Sequence, residues 1–271
     1  MFRSLLNLIR AFRRREVHRT FFEADRKAFY EKIYKNNPET RVLTGPFSGM
    51  AYLNTADFGP IAPKWLGSYE TEIQDMVGDL CRRGYAIVAN VGSAEGYYAV
   101  GFARANTASR VFAFEIDPFA RRALARLAEM NGIADRIEIR DRCTWNVLND
   151  LQSGKLLLFV DIEGAEMDLL DPGRCDALRR FDILAELHQP GEAGNKINIE
   201  ETISDRFAAT HDIRRRQQTN RSEWIAANRH VWDKRLSEEE VDRATNEFRT
   251  GNQVWLWLKI KNHREKSLGN R

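Results

Sequence analysis

The run Val88-Ala-Asn-Val-Gly-Ser-Ala-Glu-Gly96-Tyr-Tyr, followed by the acidic strand end Val111-Phe-Ala-Phe-Glu115, constrains this chain most. In order, it reads as a buried strand, a glycine-bearing turn, a helix start, a second strand and a carboxylate. That order builds a nucleotide-binding crevice. In open parallel sheets, ligands bind beyond the C-terminal strand ends, where the winding reverses. The residues expected there are Asn90 to Gly96, Glu115, Asp141 to Cys143, Asp161 to Glu163, and Glu186 to His188.

The 271 residues suffice for one large α/β domain with an appended segment. No apolar run approaches the ~20 residues that span a bilayer. The net charge of +3 is uneven, because residues 1–20 carry six arginines (Arg3, Arg10, Arg13, Arg14, Arg15, Arg19) against Glu16 alone. The remaining body is slightly acidic, which argues against a nucleic-acid-binding face. Cys81, Cys143 and Cys175 show neither metal nor redox spacing, so a reducing compartment, the cytoplasm, is expected. The stretch Leu5-Leu6-Asn7-Leu8-Ile9 is short for a secretory signal and lacks a small-residue cleavage site. A presequence or a peripheral membrane contact through this basic helix stays open. The expectation taken is a helix packed on the body or a partner.

Residues 3–36 read as a helix with apolar stripes (Leu5, Leu6, Ile9, Phe12; then Phe22, Phe29, Ile33), ended by Pro38. Residues 41–67 are rich in glycine and proline and read as an irregular loop or hairpin region. A helix is expected from near Ser68, since Ile73, Met76, Val77 and Leu80 share one face and Gly84 stops it. Strands are expected at 85–91, 111–115, 136–140, 155–161 and 182–188, with helices between them. Asp117 and Pro118 open one of those helices. Such alternation means a parallel sheet covered on both faces. Later, Asn198 to Thr210 reads as a helix. A strand starts near Ile213, made an edge by Arg214-Arg215-Arg216. Ser237 to Glu240 is a capping box, and Val254 to Ile260 is the strongest late strand. These last strands predict an antiparallel pair at one sheet edge.

A dinucleotide fingerprint needs glycines in a G-x-G-x-x-G frame. Framed on Gly92, the chain offers Asn90, Gly92 and Glu95, and fails at two of three places. Its Gly92-x-x-x-Gly96 spacing leaves a wider turn, suited to a cofactor without a pyrophosphate. Together with Phe114-Glu115-Ile-Asp117-Pro118, Asp161-Ile-Glu163-Gly-Ala-Glu166 and Ile183-Leu-Ala-Glu186-Leu-His188, it resembles the class I S-adenosylmethionine-dependent methyltransferases, and among them the FkbM-like branch. The resemblance covers about Tyr85 to His188. It implies a Rossmann-like, doubly wound, mostly parallel seven-stranded sheet with an antiparallel C-terminal edge strand. The expected division is a basic helix and loop extension over 1–67 and the methyltransferase domain over 68–271.

The same resemblance implies S-adenosylmethionine as cofactor. Asn90, Gly92, Ser93, Ala94 and Gly96 would meet its methionine end and Glu115 its ribose. Ile116 would pack on the adenine, Asp141 would meet the adenine edge, and Asp161 would border the site. Asn90 stands where the family usually has aspartate. The implied acceptor is a small molecule or glycan: a hydroxyl of a sugar, a glycan or a secondary metabolite. Methyl transfer to a hydroxyl needs in-line positioning, a dry site and a base. Glu163, Glu186 and His188 are the catalytic candidates. Two other readings stay open for these residues: Glu163 and Glu166 as plain helix caps, or a divalent cation on Asp161, Glu186 and His188. Phe47, Met50, Tyr69 and Glu70 are candidates to close the pocket, and equally a structural loop. An NAD-type oxidoreductase and a non-catalytic protein retaining the fold are the alternative functions.

Overall fold

In the computed structural model, residues 2–35, 39–151, 154–188, 198–249 and 253–261 are described, without the side chains of 2–12 and 14. Pro38 and the stripe Leu5, Leu6, Ile9, Phe12 lie outside what is described. The chain begins with α1 (Phe2–Ile33), α2 (Ala62–Leu66) and α3 (Gln74–Arg82). It then alternates: β1 (Ile87–Val91), α4 (Tyr97–Ala105), β2 (Arg110–Phe114), α5 (Pro118–Met130), β3 (Ile137–Arg140), α6 (Trp145–Asp150), β4 (Leu156–Val160), α7 (Glu166–Leu169) and β5 (Asp182–Leu187). Then come α8 (Ile199–Phe207), β6 (His211–Gln217), the short helices α9 (Ser222–Ala227), α10 (Arg229–Trp232) and α11 (Glu238–Ala244), and β7 (Val254–Ile260).

The seven strands form one sheet in the order β3-β2-β1-β4-β5-β7-β6. Strands β1 to β5 are parallel, and β1 lies between β2 and β4, where the winding reverses. This is the doubly wound, Rossmann-like sheet the alternation implies. Every residue of β1, β4 and β5 is buried, as in parallel strands covered on both sides. Successive side chains feed opposite clusters. Val88, Leu157, Phe159, Leu184, Trp255 and Trp257 join α3, α4 and α5 on one face. Ile87, Ala89, Leu158, Val160, Ile183 and Leu256 join α8 and the elements after β4 on the other.

The late strands pair antiparallel, and β6 with its three arginines is the rim. The C-terminal strand β7 is not itself the edge. It inserts between β5 and β6, antiparallel to both. The reason is apolar surface: Val254 to Leu258 are all buried, so both faces of β7 need cover, whereas β6 is mostly exposed or half-buried.

The helix starts follow local chemistry. Asp117 caps α5 by accepting the Phe119 N–H at 2.8 Å, with Pro118 at the first position. Ser237 and Glu240 form a reciprocal capping box on α11. Helix α3 starts later than Ser68, because Glu70 is left-handed (φ 50°) and a single 3-10 turn (Thr71–Ile73) precedes it. The segment before residue 67 joins the main core: Phe29, Ile33, Tyr34, Trp65 and Leu66 share the cluster of the sheet's first face. Phe47 and Met50 do not close a pocket. They are 4% and 0% exposed. The Phe47 ring fills the space left by Gly101, where a Cβ would stand 2.6 Å from it, and makes edge contacts with Tyr97, Tyr98 and Phe102.

Trp255 is fully buried on β7 against Phe159. Trp255→Ala is expected to cost about 3–5 kcal/mol, the usual range for an emptied aromatic site. Urea denaturation checks this; a loss under 1 kcal/mol would mean that β7 is not packed as described.

Candidate active site

The glycine turn is fixed by a close approach of two strand ends. Gly92 has φ +80°, and a Cβ on it would lie 1.6 Å from the Asp161 carbonyl oxygen, so no other residue fits. Its N–H and that of Ser93 both donate to the Phe114 carbonyl, at 2.9 and 3.0 Å. Ser93 is buried, and its hydroxyl donates to the Asn90 carbonyl at 2.8 Å, so it shapes the turn from within. Gly96 lets α4 approach α5: a Cβ there would be 2.8 Å from Leu124 Cγ. Ala94, between them, is left-handed with φ 44°. Glu95 turns the other way. Its carboxylate accepts the Tyr52 hydroxyl at 2.7 Å and pairs with the buried Lys64 ammonium, tying the turn to the N-terminal segment.

Glu115, at the end of β2, accepts the Ala94 N–H and the Asp117 N–H, one on each carboxylate oxygen, both at 2.8 Å. These bonds orient the carboxylate and leave each oxygen a lone pair. Burial pushes its pKa up, and the two backbone donors pull against that shift. Asn90 is 1% exposed, and neither its Oδ1 nor its Nδ2 has a hydrogen-bond partner among the described residues.

Two cavities meet here. One, of about 530 Å³, runs from Gly92 and Glu115 along Ile116, Asp141, Arg142, Cys143 and Trp145 to Ile162 and Leu169. Ile116 is 67% exposed, unusual for a large apolar side chain beside a cleft, and Asp141 is exposed beside it. The other, of about 200 Å³, is lined by Arg15, His18, Asp57, Phe58, Lys64 and Tyr69. Both share Gly92, Glu115, Asp161 and Glu163. Of the residues expected to close the pocket, Tyr69 lines this second cavity.

The strand ends β4 and β5 gather the remaining candidates. His188 places Nδ1 2.8 Å from Glu166 Oε1, and Nε2 3.8 Å from Asp161 Oδ1, 3.8 Å from Glu186 Oε2 and 4.0 Å from Glu163 Oε2. Glu163 is left-handed, with φ 58°, and its side chain is largely exposed. Donor atoms of Asp161, Glu186 and His188 lie within 4.8 Å of one another, a spacing at which one cation reaches all three. Glu186 is 2% exposed, and one carboxylate oxygen accepts Arg249 Nη1 at 2.6 Å. Arg249 also pairs with Glu70, and with Glu247 at 2.8 Å. Tyr98 donates its hydroxyl to Glu70 and stacks on Phe159 at 4.2 Å.

Arg249 and His188 thus face six carboxyl groups: Glu70, Asp161, Glu163, Glu166, Glu186 and Glu247. Buried carboxylates in such excess resist ionisation. Burial first, then the Glu70 charge, pushes Asp161 up to about 7. Burial, then Asp161 and Glu70, pushes Glu186 up to about 10. Burial raises Glu247 to about 7 against the pull of Arg249. Burial lowers the pKa of His188, but Glu166, Asp161 and Glu163 outweigh it and the net shift is upward. Burial likewise opposes ionisation of Glu166, yet His188 and the backbone donors win and hold its pKa down.

Sequence reasoning missed Arg249 and Glu247 entirely. Nothing local marks them, because their partners Glu70 and Glu186 are far away in the chain. Cys143 was placed at a strand end, but Trp145 and Leu169 were not foreseen as cleft walls.

No protein-family model and no curated protein matches the chain. Among solved structures it is similar to the O-methyltransferase from Bacillus cereus in complex with S-adenosylhomocysteine. That match has 13% identity and a TM-score of 0.45, and covers 70% of this chain and 81% of that one. It is also similar to the O-methyltransferase from Streptomyces achromogenes involved in tomaymycin synthesis, in complex with S-adenosylmethionine (12% identity, 68% and 78% covered, TM-score 0.43). A third is the RNA methyltransferase from Salinibacter ruber in complex with S-adenosylhomocysteine (14% identity, 70% and 92% covered, TM-score 0.35). Likenesses this remote assign no chemistry.

The carboxyl cluster carries a pH signature. The pKa of Glu186 in the folded protein stands above its unfolded value, so its stabilising contribution is full below the unfolded value and is lost as pH rises toward about 10. Melting temperature is therefore expected to fall more steeply between pH 5 and about 9 in the wild type than in Glu186→Gln. Parallel curves would show that Glu186 is ionised throughout that range.

Proposed function

We propose that this chain is an S-adenosylmethionine-dependent methyltransferase acting on a hydroxyl oxygen of a sugar, a glycan or a small secondary metabolite. The observation that carries the cofactor reading is Glu115. Its carboxylate is held between the Ala94 and Asp117 N–H groups, beside a glycine turn at the switch point of the sheet, with one lone pair left on each oxygen. That is an acceptor pair suited to the vicinal hydroxyls of a ribose.

The surrounding residues fit the rest of the cofactor. Gly92 to Gly96 offer a cradle that a Cβ at Gly92 would destroy. The unpartnered amide of buried Asn90 can both donate and accept toward the polar methionine end. Ile116 and Asp141 border the larger cavity, where a flat base would pack on the one and meet the other at its edge. Asp161 lies at the junction of the two cavities. The cofactor, when bound, supplies an electrophilic methyl group. The failed dinucleotide frame weighs against a nicotinamide cofactor.

The acceptor side is the smaller cavity, which residues 1–67 roof over the 68–271 domain through Arg15, His18, Asp57, Phe58 and Lys64. Among the three catalytic candidates, His188 is the base this reading favours. Glu186 is committed to Arg249 and holds its proton near neutrality. Glu163 is largely exposed and lines both cavities. His188 is half-buried and seated on Glu166, with Nε2 3.8 Å from Asp161 and Glu186 and 4.0 Å from Glu163, of which Asp161 and Glu163 line the smaller cavity. It accepts the hydroxyl proton as the acceptor oxygen attacks.

A second reading has one observation in its favour. The donor atoms of Asp161, Glu186 and His188 converge within 4.8 Å, and a divalent cation there would acidify the acceptor hydroxyl directly. Chelation is expected to leave turnover intact under the base reading. Complete loss, restored by Mg²⁺ or Mn²⁺, would replace it with the cation reading.

Glu115→Ala is expected to weaken S-adenosylmethionine binding by about 1–3 kcal/mol, since the ribose hydroxyls lose a charged acceptor. Calorimetric titration checks it, and unchanged affinity would remove the cofactor assignment. His188→Asn should lower kcat by about 10²–10⁴-fold at unchanged cofactor affinity, measured as S-adenosylhomocysteine formed with a panel of hydroxyl acceptors. Because the base must be unprotonated, wild-type kcat should fall as pH drops through the raised pKa of His188.

A further inference from the structure

We propose that Glu166 is the positioning residue for His188, fixing its tautomer so that Nε2 presents a lone pair to the acceptor. The inference rests on the reading of His188 as the group that meets the acceptor hydroxyl. It assigns a chemical task to the last carboxylate of Asp161-Ile-Glu163-Gly-Ala-Glu166, which that reading uses only as a seat for the ring.

Glu166 is 0% exposed. Its Oε1 accepts the N–H groups of Ile162 at 3.3 Å and Gly164 at 3.1 Å, and its Oε2 accepts Gly164 again at 3.1 Å. The left-handed pair Glu163 (φ 58°) and Gly164 (φ 108°) curls the chain so that Glu166 folds back on its own turn. A plain capping role is satisfied by these backbone bonds. It does not account for the 2.8 Å contact between Oε1 and His188 Nδ1, which joins β5 to the loop after β4. The backbone donors hold the carboxylate ionised, and an ionised carboxylate can only accept. Nδ1 must therefore carry a proton in both protonation states of the ring, and the lone pair of the neutral ring sits on Nε2.

The groups facing Nε2 are Asp161, Glu163 and Glu186, at 3.8, 4.0 and 3.8 Å, with Arg249 held on the far oxygen of Glu186. All three are carboxyl groups. When the acceptor O–H bond breaks, its proton passes to Nε2 and the electron pair stays on oxygen. The imidazolium formed keeps its Nδ1–H bond to Glu166, which becomes a pair of opposite charges. Glu166 thus stabilises the product of proton transfer without touching the acceptor.

The test is nitrogen-15 NMR of the histidine side chains in the full chain, with the His188 signals assigned by their loss in His188→Asn. The wild type should show neutral His188 as the Nδ1–H tautomer. In Glu166→Gln the amide oxygen still accepts Nδ1–H, so the tautomer should persist. The negative charge is gone, so the His188 titration and the acidic limb of kcat should both move to lower pH. In Glu166→Leu the tautomer preference should also be lost, and kcat should fall about 10–100-fold with KM little changed. If Glu166→Leu does not fold, Glu166→Gln decides alone. S-adenosylmethionine affinity, measured alongside, reports whether the cofactor side is intact. An unmoved His188 titration in Glu166→Gln, or a wild-type Nε2–H tautomer, would overturn the proposal. Full activity in His188→Asn would instead overturn the base reading, while the NMR result still judged Glu166.

Discussion

The contact between Gly92 and the Asp161 carbonyl sets the geometry of everything else in the site. At the switch point, β1 and β4 run side by side, and Asp161 N–H donates to the Val91 carbonyl at 2.9 Å. Only a residue without a Cβ can follow Val91 there. The glycine turn is thereby brought against the start of the Asp161 to Glu166 loop. The glycine turn and the carboxyl cluster after β4 are held in register by these backbone contacts.

Around that contact the chain concentrates its unfavourable elements. Ala94, Glu163, Glu70 and Phe248 are the four non-glycine residues with positive φ among those described. Two belong to the turn and the loop; of the other two, Glu70 pairs with Arg249 and Phe248 is its chain neighbour. Such conformations cost of order 1–3 kcal/mol each and persist where the surroundings over-determine them. Here they are over-determined by a buried guanidinium shared among three carboxylates and by Glu166 folded on its own backbone. Removing one partner of such a buried set leaves uncompensated charge, the expensive outcome for buried ion pairs.

Local features were legible in the sequence wherever the physics is local. The Asp117-Pro118 start, the Ser237–Glu240 capping box and the span Val254 to Ile260 stand where the residues predicted them. The arginines of β6 marked the rim. The position of β7 was not legible, because strand neighbours are chosen by surface burial across the whole fold. Phe47 and Met50 looked like a lid only because the glycine that receives the Phe47 ring, Gly101, is distant in the chain. Glu95 reads as part of the turn, yet its partners Lys64 and Tyr52 come from the preceding segment. In the candidate site, every residue type expected at a strand end is at one. Which of them are committed to other partners depended on Arg249, which no local pattern announces.

The insertion of β7 between β5 and β6 has a consequence for assembly. A ribosome delivers β5 and β6 well before the strand that separates them. Until residues 254–260 emerge, the edge of β5 is unpaired, and Glu186 lacks Arg249, which lies just ahead of β7. The β3-β2-β1-β4-β5 part of the sheet needs no residue beyond Leu187, so its strands are all available before β6 and β7 are made. The carboxyl cluster acquires its countercharge only with the final stretch. His188 and Glu166 are thus in the chain before the guanidinium that offsets the carboxyl groups around them.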